Sequence, residues 1–482
     1  MSAPLVAGVD SSTQSTKVEL RELPTGALVA TGRAPHPTTS PPVSEQDPAS
    51  WWTALADALA QLRPHLERVV AMSVAGQQHG LVLVDPTGAT IRPAKLWNDT
   101  TSARQAAQLV EQLGANEWAA RCGLVPVASF TITKLAWLVE REPDNLARVD
   151  KVMLPHDWLT WRLTGRHVTD RGDASGTGWW SPIDGSYRTD LLGLVVEDPD
   201  AWLPRLPDVL GPQEAAGCVL GRVADELGLS ANVVVGCGTG DNMAAALGLA
   251  MAPGEVTVSL GTSGTAYAVA AEPTTDPTGA VAGFADAAGG YLPLVATLNA
   301  TKVTETVARW LDVDVAQLSK MALAAPAARA DLALVPYFDG ERTPNLPEAT
   351  GVWWGLRNDT TREELARAAF AGVVHGLMAG VDALGAAGVG MGGSLRLIGG
   401  GARSPAYRQI TADLWGSPIT AHADAEPVAT GACVQAAAMH SGRGLLETAR
   451  SWRLDAGTQV EPDPRIDGAA LRAAYRDAAG RL

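Results

Sequence analysis

The sequence predicts an α/β chain of two or three domains. At 482 residues it is too long for one ordinary domain. Short β-branched runs alternate with helical stretches along most of its length. One local plan, a strand, a small-residue turn and a second strand, occurs twice, about half a chain apart. The first copy is Leu5–Val9, ending in Asp10, then Ser11-Ser-Thr-Gln-Ser-Thr16 and Lys17–Leu20. The second is Val256–Leu260, Gly261-Thr-Ser-Gly264 and Thr265–Val269. Either copy alone reads as a hairpin with a polar loop. Two copies, one with a carboxylate ending its first strand, point to an internal duplication and to nucleotide phosphates held by turn amides.

Between the copies lies the stretch that bears most on chemistry. Gly236-Cys-Gly-Thr-Gly240 is a glycine-broken turn that delivers Asp241 and Asn242. The Ala-rich run Met243–Met251 then reads as a helix. A carboxylate at a helix start suits proton abstraction beside a phosphate. Taken alone, the pair reads better as a helix N-cap.

Composition narrows the function classes. Hydrophobic residues are 46% and charged residues 18%, enough for a large core. The 37 basic and 52 acidic residues leave a net charge of −15, which argues against general nucleic-acid binding and docking on an anionic membrane. Cys122, Cys218, Cys237 and Cys433 have no metal-ligand spacing and read as reduced thiols of a cytoplasmic protein. The N-terminus meets Asp10 too early for a signal peptide, and no uninterrupted apolar run is long enough to span a bilayer.

The remaining elements follow in order. His36–Pro48 reads as loop and Ala49–Leu66 as a helix with Trp51, Leu55, Ala58, Leu59 and Leu62 on one face. Val69–Ala75 is a strand, and Leu81–Val84 another. Between them Gln77, Gln78 and His79 stand between two glycines, placed to reach a ligand hydroxyl. A lone His is more often structural; the two glutamines raise the case for recognition. Asn98 and Asp99 end a further strand, and Ser102–Leu113 is helical. Val152–Trp158 and Leu159–Gly165 form a strand running into a helix. Asp170–Trp180 is a small-residue loop, a packing loop or one wall of a sugar site. Pro273–Gly290 reads as loop and Asn299–Leu311 as helix. After the strand Leu332–Pro336, Asp339, Glu341 and Arg342 read as a surface ion pair or as a phosphate contact from Arg342. Thr361–Gly385 is a helix capped by Thr361. The strand Ser394–Ile398 enters Gly399-Gly-Gly-Ala-Arg403, where three glycines let a flat ligand lie against backbone. Helices follow at Pro405–Gly416, from Pro427, and at Gly468–Ala479.

Several familiar motifs fail. Gly388–Gly393 fits GxGxxG but follows a helix and precedes a strand, the reverse of the dinucleotide fingerprint. There is no Walker P-loop, no HExxH and no GxSxG elbow.

Seven short motifs occur in one order: Asp10-Ser-Ser-Thr-Gln14, Ala75–Gly80, Leu96-Trp-Asn-Asp99, Gly240-Asp-Asn242, Ser259–Gly264, Gly340-Glu-Arg-Thr-Pro344 and Ile398–Arg403. In this the chain resembles the FGGY carbohydrate kinases, over nearly its whole length. The Gly-Gln-Gln-His-Gly and Trp-Asn-Asp motifs resemble the branch that acts on xylulose. The resemblance implies two domains of the actin-like, ribonuclease H-like type (the sugar kinase–Hsp70–actin type), each with a βββαβα core, around a central cleft. It implies an N-terminal domain over residues 1–247, with the sugar site and first phosphate loop, and a C-terminal domain over 248–482. Carried over position by position, Asp241 is the general base. Gln78, His79, Asp241 and Asn242 bind the sugar. Asp10 orients Mg2+, and Asp10 and Thr13 lie in the first phosphate loop. Gly261 and Thr262 form the second phosphate loop, and Gly399, Gly400, Gly401 and Ala402 the adenosine loop. Ser12 departs from the Gly that many members carry. The implied reaction is ATP-dependent phosphorylation of D-xylulose to D-xylulose 5-phosphate in xylose catabolism, by a homodimer that binds neither nucleic acid nor membrane. Two alternatives stand beside it: a sister kinase for ribulose, gluconate or another polyol, and a non-metabolic actin-like ATPase.

Overall fold

The computed structural model describes residues 3–326, 329–423 and 426–481. They divide into two compact units. The first takes the chain up to Met251, then Ala271–Leu292 and Glu426–Asp455; the second holds Ala252–Ala270, Pro293–Ala425 and the chain from Ala456. In chain order, the elements that position the site begin with strands β1 (Leu5–Ser11), β2 (Ser15–Glu22) and β3 (Leu28–Pro35), then helix α1 (Pro48–Ala60) and β4 (Val69–Gly76). Next come α2 (Pro155–Thr164), β5 (Ala215–Cys218), β6 (Val234–Gly236), β7 (Thr239–Gly240) and α3 (Asp241–Gly248). Then follow β8 (Val256–Leu260), β9 (Gly264–Ala268), β10 (Tyr291–Thr297), α4 (Thr301–Trp310) and α5 (Arg362–Ala386). Last are β11 (Leu395–Ile398), α6 (Pro405–Trp415), β12 (Ile419–Ala421), α7 (Pro427–Ser441) and β13 (Thr458–Val460).

In the first unit one sheet runs β5-β6-β4-β1-β2-β3, with β7 also on β4. β1 is antiparallel to β2 and parallel to β4. β1 is buried on both faces, which is why its sequence is a continuous apolar run rather than an alternation. Leu5, Ala7 and Val9 pack in one core with Trp51, Leu55 and Leu59 of α1. On the opposite face α7 comes so close that a Cβ on Gly8 would lie 2.0 Å from the Ala429 carbonyl oxygen. α7 also packs on α3, backbone against backbone. A Cβ on Gly431 would fall 1.9 Å from the Ala244 oxygen, and one on Gly248 2.0 Å from the Pro427 oxygen.

The helix expected over 49–66 ends at Ala60, and a 3-10 turn, Arg63–Arg68, follows. Pro64 lacks the N–H that an α-helix through it would need. The segment Asp170–Trp180 is not all loop: Asp170 caps a one-turn helix, Arg171–Ala174. The expected loop 273–290 contains the short strand Ala282–Ala285. β3, β12 and β13 and the helix Val315–Ala324 had no counterpart in the sequence reading.

In the second unit the strand order is β10-β9-β8-β11-β12-β13. β8 and β9 form the hairpin, Leu260 opposite Gly264, and β8 runs parallel to β11. α5 begins at a capping box: Thr361 Oγ1 accepts from the Glu364 N–H at 3.2 Å, and Glu364 Oε2 accepts from the Thr361 N–H at 2.9 Å. Among the described residues α5 alone is long and apolar enough to cross a membrane. Of its most apolar window 67% is buried inside the protein, as in a core helix.

Candidate functional site

The site in the first unit follows from strand register. Asp10 of β1 and Thr239 of β7 both pair with Ala75 of β4, and Ser11 and Gly240 both pair with Gly76. Three parallel strands therefore end at one level. The residues that come next, Ser12 and Thr13, Gln77 to His79, and Asp241 with Asn242, emerge along one edge. Carboxyl ends of parallel strands are where α/β sheets place ligands.

Gly240 occupies the N-cap of α3, so Asp241 is the first helical residue rather than the cap. Its Oδ1 accepts from the Asn242 N–H at 2.8 Å and from Asn242 Nδ2 at 2.9 Å. Asn242 Nδ2 also donates to Gln78 Oε1 at 3.1 Å. Burial raises the Asp241 carboxyl to about 6, against the two donors from Asn242 that hold it down. Asp241 is thus ionised at neutral pH yet a better proton acceptor than an ordinary aspartate.

Gln78 Nε2 is buried with no hydrogen-bond partner among the described residues. A buried donor left this way costs about 1–3 kcal/mol, which a ligand hydroxyl would recover. His79 is a non-glycine residue at φ 65°. Its ring lies 5.1 Å from that of Phe130 and 5.4 Å from that of Phe284. A Cβ on Gly176 would sit 2.3 Å from the imidazole, so the loop after Asp170 closes on this ring. Trp179 and Trp180 of that loop are buried and pack in the core.

Thr13 Oγ1 donates to Gln77 Oε1 at 3.1 Å and accepts from Trp97 Nε1 at 2.9 Å. Its hydroxyl is committed inside the protein, which leaves its backbone N–H for a ligand. Asp99 is structural: it takes the Ser44 N–H at 2.9 Å and Lys95 Nζ at 3.2 Å. Asp10 Oδ1 is sealed from solvent with no hydrogen-bond partner among the described residues. Burial raises this carboxyl to about 7; Lys17 pulls it down, and Asp241 and Glu426 push it up. A buried, unpaired carboxylate oxygen at a strand end suits a hard divalent cation.

In the second unit Gly261 and Thr262 form the turn between β8 and β9, with Thr262 exposed and the Gly261 carbonyl accepting from the Thr301 N–H at 3.0 Å. Gly399, at φ 85°, folds back on the end of β8: a Cβ there would lie 2.6 Å from the Leu260 oxygen. Of Gly399–Ala402 only Gly400 is exposed. Ala402 is fully buried, so its side chain serves the core. Within the charged group Asp339–Arg342 the two carboxylates take different partners. Asp339 pairs with Lys302 at 3.0 Å. Glu341 turns inward, accepting from the Leu298 N–H at 2.6 Å and Asn299 Nδ2 at 2.9 Å.

Comparison with known proteins places this geometry. Residues 5–248 match the N-terminal domain of the FGGY family of carbohydrate kinases, and residues 256–440 match its C-terminal domain. The chain belongs to the FGGY family. The xylulose kinase of Streptomyces coelicolor is 48% identical over 489 residues, covering 99% of each chain. That of Streptomyces rubiginosus is 48% identical over 459 residues, covering 95% of this chain and 92% of its own. The crystal structure of xylulose kinase from Bifidobacterium adolescentis superposes with a TM-score of 0.87 at 40% identity, covering 99% of this chain and 100% of that one. Each unit is thus a mixed α/β layer of the actin-like sugar-kinase fold. As an FGGY kinase the chain uses ATP.

Sequence reasoning missed Trp97 as the anchor of Thr13 and Phe130 and Phe284 as flanks of His79. It also missed a buried cluster of His156, Asp157, Asp170 and Asp173. Only the close spacing of Asp170 and Asp173 hinted at it.

Proposed function

We propose that this FGGY kinase transfers the γ-phosphoryl group of ATP to D-xylulose, giving D-xylulose 5-phosphate and ADP. Its full-length likeness to xylulose kinases supports the substrate. The observation that carries the chemistry is the Asp241 carboxyl, raised to about 6, at one level with Asp10 and the unsatisfied Nε2 of Gln78. In this reading Asp241 accepts the C5 hydroxyl proton as that oxygen forms a bond to the γ-phosphorus. The bond from phosphorus to the β–γ bridging oxygen breaks, and ADP leaves. Gln78, His79 and Asn242 hold the sugar. The Thr13 amide, in the turn after Asp10, faces a phosphate oxygen. In the second unit Gly261 and Thr262 take phosphate, and Gly399–Ala402 border the adenosine. Asp10 would hold Mg2+, which when bound neutralises phosphoryl charge. A cytoplasmic setting suits its four free thiols. The reading extends to a homodimer on the family resemblance.

General-base catalysis is worth about 10²–10⁴-fold, so Asp241→Asn should lose that much kcat while binding ATP as before. Turnover near wild type in a folded variant would overturn the assignment.

A further inference from the structure

Beneath the edge that carries Asp241 lies an ionic cluster with no place in the proposed reaction. His156, second residue of α2, is fully buried. Its Nε2 lies 3.3 Å from Asp157 Oδ1, 3.2 Å from Asp170 Oδ1 and 3.3 Å from Asp173 Oδ2. Burial by itself lowers the imidazole pKa; the three carboxylates outweigh it and lift it to about 9. Burial also raises the Asp157 and Asp173 carboxyls, so this one ring nitrogen sits among three carboxyl groups of a tightly coupled cluster.

The cluster touches the strand ends that deliver the site. Asp170 Oδ2 accepts from Thr239 Oγ1 at 2.9 Å. Thr239 belongs to β7 and lies two residues before Asp241. The other ring nitrogen faces Gly238, at φ 83°, where a Cβ would lie 2.5 Å from Nδ1. A Cβ on Gly76, at the end of β4, would meet the His156 Cβ at 3.1 Å. One imidazole ring is thus wedged between the strand that leads to Gln78 and the turn that leads to Asp241. Asp170 is fixed in turn by the Gly172 N–H at 2.8 Å and the Asp173 N–H at 3.0 Å. Buried ion clusters are commonly no more stabilising than apolar side chains of the same volume, so their contribution is more naturally to geometry.

We propose that His156, Asp170 and Thr239 are positioning residues: the His156 ring, against Asp170, orients that carboxyl, and Asp170 holds the Thr239 hydroxyl and so fixes the strand that sets Asp241 on its substrate. This rests on the reading of Asp241 as base. None of the three needs to touch substrate. A misplacement on the order of 1 Å at a reacting group costs about 10²-fold, so the link should act on kcat rather than on binding.

The test uses Thr239→Val, which keeps the shape and removes the hydroxyl, and Thr239→Ser, which keeps the hydroxyl. The full-length protein is assayed for ADP release with D-xylulose, alongside Asp241→Asn. Thr239→Val should lose about 10-fold to 100-fold in kcat with both KM values within about two-fold. Thr239→Ser should restore kcat. In a double-mutant cycle, adding Asp170→Asn to Thr239→Val should lower kcat by less than Asp170→Asn alone, because the link is already cut. If Thr239→Val does not fold, Asp170→Asn carries the same kcat-against-KM readout. An unchanged kcat in folded Thr239→Val, equal losses in both Thr239 variants, or a loss confined to KM would overturn the proposal. Wild-type turnover in Asp241→Asn would instead overturn the base assignment, which separates the two failures.

Discussion

At the scale of residues, the proposed chemistry depends on two carboxyls kept above their ordinary range, Asp241 at about 6 and Asp10 at about 7. Burial is the main cause in both, and that fixes the sign of their effect on stability. A carboxyl whose folded pKa is raised contributes stability that is fully present below the unfolded value near 3.8. That stability is lost as pH rises through the folded value. For Asp10 the window runs from about pH 4 to about pH 7. Without ligands, Asp10→Asn should match wild type near pH 4 and be the more stable at pH 8. The gain should be about 1–2 kcal/mol, because the residue is only half-buried although Oδ1 is sealed. Urea unfolding at the two pH values checks this. A variant less stable than wild type at pH 8 would show that Asp10 is satisfied in the free protein.

At the scale of elements, α3 and α7 meet where Gly248 and Gly431 remove the side chains that would hold them apart. Gly431→Ala would place a methyl 1.9 Å from the Ala244 oxygen, and both contacting atoms belong to helix backbones. Overpacking of this kind costs about 1–3 kcal/mol. The denaturant midpoint should fall with m unchanged, and an unchanged midpoint would mean that the helices are free to part. The contact also shows where sequence reading stops. The Ala-rich helix from Pro427 was legible from its propensity and its Pro start, but no local signal says that α7 returns to the first sheet, because that pairing is non-local. β3, an edge strand with only Gly32 and Ala34 buried, lacks the apolar alternation that marks a strand. The residues along the site edge were legible because strands with abrupt polar ends, Asp10, Gly76 and Gly240, leave their mark in local sequence. The partners Trp97, Phe284 and His156 were not: each acts on a residue far away in the chain, through packing that only the folded sheet creates.

At the scale of the whole molecule, two units of one fold carry different parts of a kinase. In the proposed reaction the first unit bears the acid–base and hydroxyl-recognising groups, and the second contributes two backbone loops, after β8 and after β11. On this proposal, sugar preference comes from side chains of the first unit, Gln78, His79 and Asn242. The most direct test is ADP release by the intact protein over a panel of D-xylulose, D-ribulose, gluconate and glycerol, with ATP and Mg2+ fixed. The prediction is that D-xylulose gives the highest kcat/KM and that release without sugar is slow. A preference for another member of the panel, or release that no sugar stimulates, would contradict it.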